Sequence, residues 1–228
     1  MSTDDAEFIR ANPLVFLFEF ERTAVECHTP GKYPLNFQPI HAIINPGIHK
    51  GELDMRLKNG QELIITKAKP EDAKKILEYL NRVGGESDNL LFGKNEFNMT
   101  VEQESNFINH LNNSDKSCML LGFIDGIIAS LATLSGFERK RIAHRGKAAV
   151  SVRRDYWNSG VGTAMLNELI RFSREDAEIE IIELEVKADN SRAIHVYEKL
   201  GFQKIGTYEK YFKINGNYYD CDLLNLYL

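Results

Sequence analysis

Cysteine is scarce in the 228-residue chain: Cys27, Cys118 and Cys221 are the only three, and none forms a Cys-x-x-Cys pair. An odd, sparse count gives no disulfide framework and suits a reducing compartment. Cys118 and Cys221 fall in strand-like stretches and read as small buried apolar residues. The six histidines never take His-x-x-x-His or a related ligand spacing, so no metal site is expected. Long apolar runs are also missing. The stretch from Leu14 to Phe18 is cut by Glu19, far short of the ~20 residues of a membrane helix. Asp4, Asp5 and Glu7 stand where a secretory signal needs basic residues. These absences predict a cytoplasmic protein without a membrane partner. There is no surplus of positive charge either: 28 Lys and Arg against 33 Asp and Glu leave a net charge of −5, which argues against nucleic acid as a partner.

The composition, 43% hydrophobic and 10% aromatic, is that of a globular protein, and the length fits one domain plus an extension. Residues 1–50 form that N-terminal extension, whose role the sequence leaves open. Phe16, Phe18 and Phe20 alternate there as in a strand, but Pro30, Pro34, Pro39 and Pro46 interrupt the remainder of the extension. From residue 51 the pattern is regular. Leu53, Met55 and Leu57 alternate, Asn59-Gly60 reads as a two-residue hairpin turn, and residues 63–66 return as a second strand. Pro70 opens a helix to about Arg82. Thr100 and Gln103 form a capping box for a helix to about Leu111. Hairpins are expected at 118–137, around Asp125-Gly126, and at 202–227, around Asn215-Gly216, with a further strand at 147–152.

The most informative stretch is 150–202. A strand ending at Val152 runs into a turn with Gly160 and Gly162, then a helix whose Val161, Met165, Leu169 and Phe172 share one face. Unpaired N–H groups and a positive dipole end make a helix N-terminus an anion seat, and glycines let a phosphate approach the main chain. The dinucleotide fingerprint would need a third glycine where Met165 stands, and the P-loop a lysine after Gly162, where Thr163 stands. Both familiar nucleotide motifs therefore fail, and the Gly-x-Gly turn by itself reads equally as a phosphate cradle or as an ordinary strand–helix turn. A strand at 181–187 comes next, then Asn190 as a helix N-cap, a helix with Ala193, Ile194, Tyr197 and Leu200 inward, and Gly201-Phe202 at its end.

The loop Trp157-Asn158-Ser159-Gly160-Val161-Gly162 and the series Glu185-Val186, Asn190, Ala193, Tyr197, Gly201-Phe202 resemble two motifs of the GCN5-related N-acetyltransferase (GNAT) superfamily. The likeness covers roughly 61–228 and is closest to small bacterial members acting on ribosomal-protein alanine, polyamines or amino acids. It departs at Trp157, where the family carries Arg or Gln; a cradle built of main-chain amides tolerates this. The resemblance implies an α/β (α+β) fold, with a mixed, mostly antiparallel twisted sheet and helices on both faces. It also implies an acetyl-CoA-dependent N-acetyltransferase with no metal, moving an acetyl group to a primary amine by direct attack in a ternary complex.

By the same resemblance the pyrophosphate lies on the amides of Asn158, Ser159, Gly160, Val161, Gly162 and Thr163. The pantetheine arm pairs with the main chain of Val150 and Val152, and Asn190 bonds it from the side. Tyr197 is the general acid. Glu185, twelve residues earlier as in the ribosomal-protein alanine branch, is the base, with Glu183 its rival and Glu138 and Tyr208 outside candidates. His144 reads as a solvated loop residue or a substrate contact. The acceptor is a small-molecule amine or a protein or peptide amine, its pocket expected from the loops at 82–100 and 138–146, and homodimerisation stays open. The alternative from another class is a non-catalytic acyl-CoA-binding or sensing module on the same fold; a module without turnover has no need of the Tyr197 phenol.

Overall fold

A computed structural model describes residues 52–228. Cys27 and the Phe16–Phe20 alternation lie outside them. The strands are β1 (Glu52–Arg56), β2 (Glu62–Lys67), β3 (Cys118–Ile124), β4 (Ile127–Gly136), β5 (Arg145–Val152), β6 (Ile181–Lys187), β7 (Gln203–Ile214) and β8 (Asn217–Tyr227). The helices are α1 (Ala73–Gly84), α2 (Val101–Asn112), α3 (Val161–Glu175) and α4 (Ser191–Lys199). All eight strands join one sheet in the order β1-β2-β3-β4-β5-β6-β8-β7. Only β5 and β6 run parallel; every other pair is antiparallel. The mixed, mostly antiparallel sheet is as expected.

Alternation along each strand sorts its side chains to two faces. Leu63, Ile65, Leu134, Ile182, Leu184, Val186, Leu224 and Leu226 form one core with the inward stripe of α3, with Tyr197 of α4 and Leu200 just after it joining them. Met119, Leu121 and Leu131 on the opposite face meet Ile76, Leu80, Phe107 and Ile108 of α1 and α2. That second layer stops over β3 and β4, and no residue of β6 or β8 belongs to it. Among the described residues the sheet is therefore clad by helices on one face and half bare of them on the other. The bare half carries polar side chains.

Local sequence chemistry accounts for most boundaries. Thr100 accepts from the Gln103 N–H and the Gln103 side chain accepts from the Thr100 N–H, the predicted capping box. Asp125-Gly126 and Asn215-Gly216 are left-handed at both central residues, as tight hairpins require. The Asn59-Gly60 hairpin is a correction: the Gly60 N–H bonds the Leu57 carbonyl and only Gly60 is left-handed, which gives a longer loop of a forward turn plus one glycine. Pro70 opens a 3₁₀ turn, Pro70–Asp72, that feeds α1 rather than α1 itself. Cys118 and Cys221 are buried free thiols, as expected, and burial pushes both up to about 12.

One buried group sits awkwardly. Glu104 is fully enclosed on the inward face of α2, and neither carboxylate oxygen has a partner among the described residues. Burial raises its carboxyl from 4.5 to about 7. The folded state thus prefers the protonated form. This contribution is fully present below pH ~4.5 and is lost as pH rises through 7, a change of roughly 3 kcal/mol. Glu104→Gln is expected to match wild type in urea unfolding near pH 4.5 and to exceed it by about that amount at pH 8; a pH-independent difference contradicts the assignment.

Candidate functional site

Strands β5 and β6 begin as a parallel pair and then part. Their ladder holds only Arg145 to Ile181, Gly146 to Ile182 and Lys147 to Glu183. Beyond it β5 continues against β4 alone and β6 against β8 alone. The N–H of Phe137 donates to the Arg145 carbonyl, and that of Arg153 to the Ala129 carbonyl, so odd positions of β5 bond β4. Even positions, Ala148, Val150 and Val152, turn their main chain toward the fork. On β6 the bonds of Ala188 to Asp220 and Leu228 to Glu180 assign even positions to β8, leaving the main chain of Glu185 and the N–H of Lys187 facing the fork, while the Lys187 carbonyl accepts from the Asn190 N–H. Two strand edges with donors and acceptors unpaired among the described residues face each other across a wedge. Unpaired main-chain groups of this kind need water or a ligand.

The fork differs from expectation at one end. The indole N–H of Trp157 donates to the Val152 carbonyl at 2.8 Å. One lone pair of the Val152 carbonyl is thus taken, and its N–H and second lone pair still face the fork, as do both main-chain groups of Val150. The same indole carries the Arg192 guanidinium 4.4 Å above its ring and that of Arg154 at 5.5 Å. Trp157 thus pins the loop to the end of β5, a role the sequence did not reveal.

At the mouth of the fork the loop 157–160 turns into α3. Asn158 and Gly160 are left-handed, with φ of 61° and 98°. Gly160 is the N-cap and has no side chain to bond the first N–H groups of the helix. The first internal bond is that of the Ala164 N–H to the Gly160 carbonyl, so the amides of Val161, Gly162 and Thr163 point out of the N-terminus. A Cβ at Gly162 would meet only Val152, at 3.5 Å, an ordinary contact. Nothing among the described residues demands glycine there; what it keeps clear is the space over the helix end. Ser159 donates its hydroxyl to the Tyr156 carbonyl at 2.5 Å, which shapes the loop and leaves the main chain as the binding element.

The two faces of the fork carry different chemistry. On the α3–α4 face Tyr197 is buried, packed edge to face on Phe202 at 5.7 Å between ring centres. Its hydroxyl makes no hydrogen bond to any described residue. Burial pushes the phenol up to about 12, above the ordinary phenol value of ~10. Asn190 caps α4 through its Oδ1, which accepts from the Ala193 N–H at 3.3 Å. Its amide NH₂ makes no bond to a described residue.

On the bare face Glu185 projects between Lys147 and Tyr211. The Lys147 ammonium lies 2.6 Å from Oε1, and the Tyr211 hydroxyl donates to Oε2 at 3.1 Å. The pair crosses from β5 to β6 one step beyond the last rung of the ladder, at the apex of the fork. Its rival Glu183 is paired with Arg145 one step further back, within the closed part of the ladder. Tyr208 lies on the same face as Glu185, stacked on Tyr211. His144 gives its carbonyl to the N–H groups of Glu180 and Ile181, joining the start of β5 to β6 at the closed end. The loop after α1 lines a hollow of about 350 Å³ with Gly85, Glu86, Ser87, Asp88, Lys94 and Arg154. Lys147 and Tyr211 were missed in the sequence; a lysine on the strand preceding Glu183 and Glu185 was the available signal for the first.

No group of acidic, histidine or cysteine side chains able to hold a metal occurs among the described residues. No described helix is long and apolar enough to cross a membrane.

A family model described as an acetyltransferase (GNAT) domain matches residues 65–223. An L-amino acid N-acetyltransferase, AaaT, of Escherichia coli is 36% identical over 102 residues, 45% of this chain and 63% of that protein. An N-alpha-acetyltransferase, RimI, of Mycobacterium tuberculosis is 34% identical over 61 residues, 27% of this chain and 36% of that protein. The chain thus matches less than two thirds of either relative. A GNAT-family acetyltransferase from Streptococcus pneumoniae superposes with a TM-score of 0.71 at 31% identity, over 73% of this chain and 99% of that one. The acetyltransferase yncA from Salmonella typhimurium, solved with acetyl-CoA, shares the fold with a TM-score of 0.64 at 16% identity, over 73% and 94% of the two chains. The split sheet, the glycine-opened helix and the length of the family match agree: the chain belongs to the GNAT acetyltransferase family.

Proposed function

We propose that the protein transfers an acetyl group from acetyl-CoA to a primary amine by direct attack. The observation that carries this reading is the fork itself, with main-chain edges on both sides, an anion seat at its mouth, and a phenol and a carboxylate on its opposite faces. The two amides of a pantetheine arm fit as a short extra strand against Ala148, Val150 and Val152. The amides of Asn158 to Thr163 seat the pyrophosphate at the α3 dipole, and the Asn190 NH₂ reaches the arm from the side.

In the step, the amine nitrogen attacks the thioester carbonyl, a C–N bond forms and the C–S bond breaks. Tyr197 supplies a hydrogen bond to the sulfur as charge builds there. A phenol held near 12 is a weaker acid than an ordinary thiol at ~8.5, so stabilisation of the departing sulfur comes first and proton delivery second. Glu185 takes the amine proton directly or through one water. The acceptor comes over the bare face of β6 and β8. Relatives named as an L-amino acid N-acetyltransferase and an N-alpha-acetyltransferase support an α-amino group as acceptor.

That choice bounds the value of the base. A peptide α-amine has a pKa of ~7.8, so near pH 7 over a tenth of such an acceptor is already neutral and a base gains at most roughly tenfold. Glu185→Gln is expected to lower kcat about tenfold at pH 7 and by less than twofold at pH 9. A loss that stays constant across pH contradicts the role. The reading as a whole is tested by heat unfolding with acetyl-CoA: at 100 times Kd the ligand should add about 2.7 kcal/mol of stability, and free adenine should add none. Absence of any shift at millimolar acetyl-CoA contradicts the fork as its site.

A further inference from the structure

Strand β7 does not run evenly beside β8. Tyr208 faces Cys221 and Phe212 faces Tyr219, so Glu209, Lys210 and Tyr211 together oppose the single residue Asp220. Lys210 stands at a φ of +55°, a conformation strained for a residue with a side chain, and its N–H is held by the Asp220 carboxylate at 2.8 Å. Such a bulge re-aims a side chain. Under strict alternation Tyr211 would point away from Tyr208. The bulge instead brings it onto the same face, stacked on Tyr208 at 5.6 Å and edge-on to Phe212 at 5.2 Å. Its hydroxyl reaches Glu185 Oε2 across two strands.

We infer that Tyr211, delivered by this bulge, is a positioning residue that fixes the Glu185 carboxylate at the apex of the fork. The inference rests on the reading of Glu185 as the base. Lys147 holds one oxygen and Tyr211 the other, so the carboxylate is pinned in rotation as well as in place. Burial, and next the neighbouring carboxylate, push the phenol upward, so it stays a donor throughout the working pH range. The strained backbone at Lys210 serves to place this one hydrogen bond. Tyr211 stays partly exposed beside the bare face, where an acceptor passes.

The test separates this inference from the reading beneath it. Tyr211→Phe keeps the stacking and removes only the hydroxyl. Crystal structures of wild type and variant give the first answer before any acceptor is known: the Lys147 contact to Oε1 should persist while the Glu185 carboxylate rotates or splits into two conformers. An unmoved carboxylate overturns the inference. With acetyl-CoA and the amine of highest turnover among L-amino acids, polyamines and free-N-terminus peptides, kcat at pH 7 should fall roughly threefold with KM for acetyl-CoA unchanged. On a Glu185→Gln background the same change should have no further effect, because it acts through a group already removed. Equal losses on both backgrounds indicate a general packing role and overturn the inference. If Glu185→Gln alone is fully active, the base itself is misassigned and the inference falls with it. Asp220→Ala, which frees the bulge, should reproduce the loss, and Asp220→Asn, which keeps an acceptor for the Lys210 N–H, should restore it.

Discussion

Tyr197→Phe is expected to lower kcat about 100-fold while leaving the affinity for acetyl-CoA unchanged. The substitution removes one oxygen from a side chain that is otherwise packed on Phe202 and enclosed between α4 and the sheet. The stabilising work of that ring is apolar, so the variant should fold with wild-type stability. On the proposed mechanism, what disappears is the donor to the departing sulfur, where negative charge develops. A hydrogen bond to a charged group contributes ~1.5–3 kcal/mol, and the upper end, taken for a buried phenol, converts to about 100-fold in rate. The phenol is held near 12 by burial, so it remains protonated at any working pH and adds no titration of its own to the rate below pH ~10. Single-turnover measurement of thiol release checks this. A variant with full kcat removes Tyr197 from the mechanism and leaves the fork intact.

Gly162→Asp is expected to raise the KM for acetyl-CoA more than 100-fold and to leave the melting temperature equal to or above that of wild type. The two effects have opposite signs for one physical reason. Residue 162 is the second residue of α3, and its amide points out of the helix N-terminus. A carboxylate there meets the positive end of the dipole and stabilises the helix by ~0.3–1 kcal/mol, while loss of glycine also lowers the entropy of the unfolded chain. A Cβ has room, since only Val152 comes near, at 3.5 Å. The same carboxylate occupies the seat assigned to the pyrophosphate and repels it at contact distance, where two like charges in a partly dry site cost several kcal/mol. Calorimetry of acetyl-CoA binding beside thermal unfolding reads both. If affinity drops only together with stability, the glycine serves the fold and the cradle assignment fails.

Much of the fold is legible in the residues because the signals are local. Asp125-Gly126, Asn215-Gly216, the Thr100–Gln103 box and the Asn190 cap each act within four positions of the chain, and each appears where expected. The split between β5 and β6 is reachable only through the family resemblance, since a parallel pair formed between Arg145 and Ile181 leaves no local mark. The bulge at Lys210 is illegible for a related reason. A left-handed lysine is stabilised by Asp220 on the next strand, and alternation read along β7 alone puts Tyr211 on the wrong side. Trp157 stands out in the sequence as a departure from the motif, yet its bond to Val152 depends on the loop folding back over the strand. Glu104 reads in the sequence as one more polar position in a helix; its enclosure comes from the packing of α2 against its neighbours.

The most direct test of the account is release of free CoA thiol from acetyl-CoA in the presence of L-amino acids, polyamines and short peptides with free N-termini. The account predicts amine-dependent release, with an α-amine among the active acceptors and with Tyr197→Phe strongly impaired. Acetyl-CoA that binds and protects the protein against heat, yet yields no amine-dependent thiol across the whole panel, would contradict the transferase and leave a GNAT fold that binds acyl-CoA without turnover.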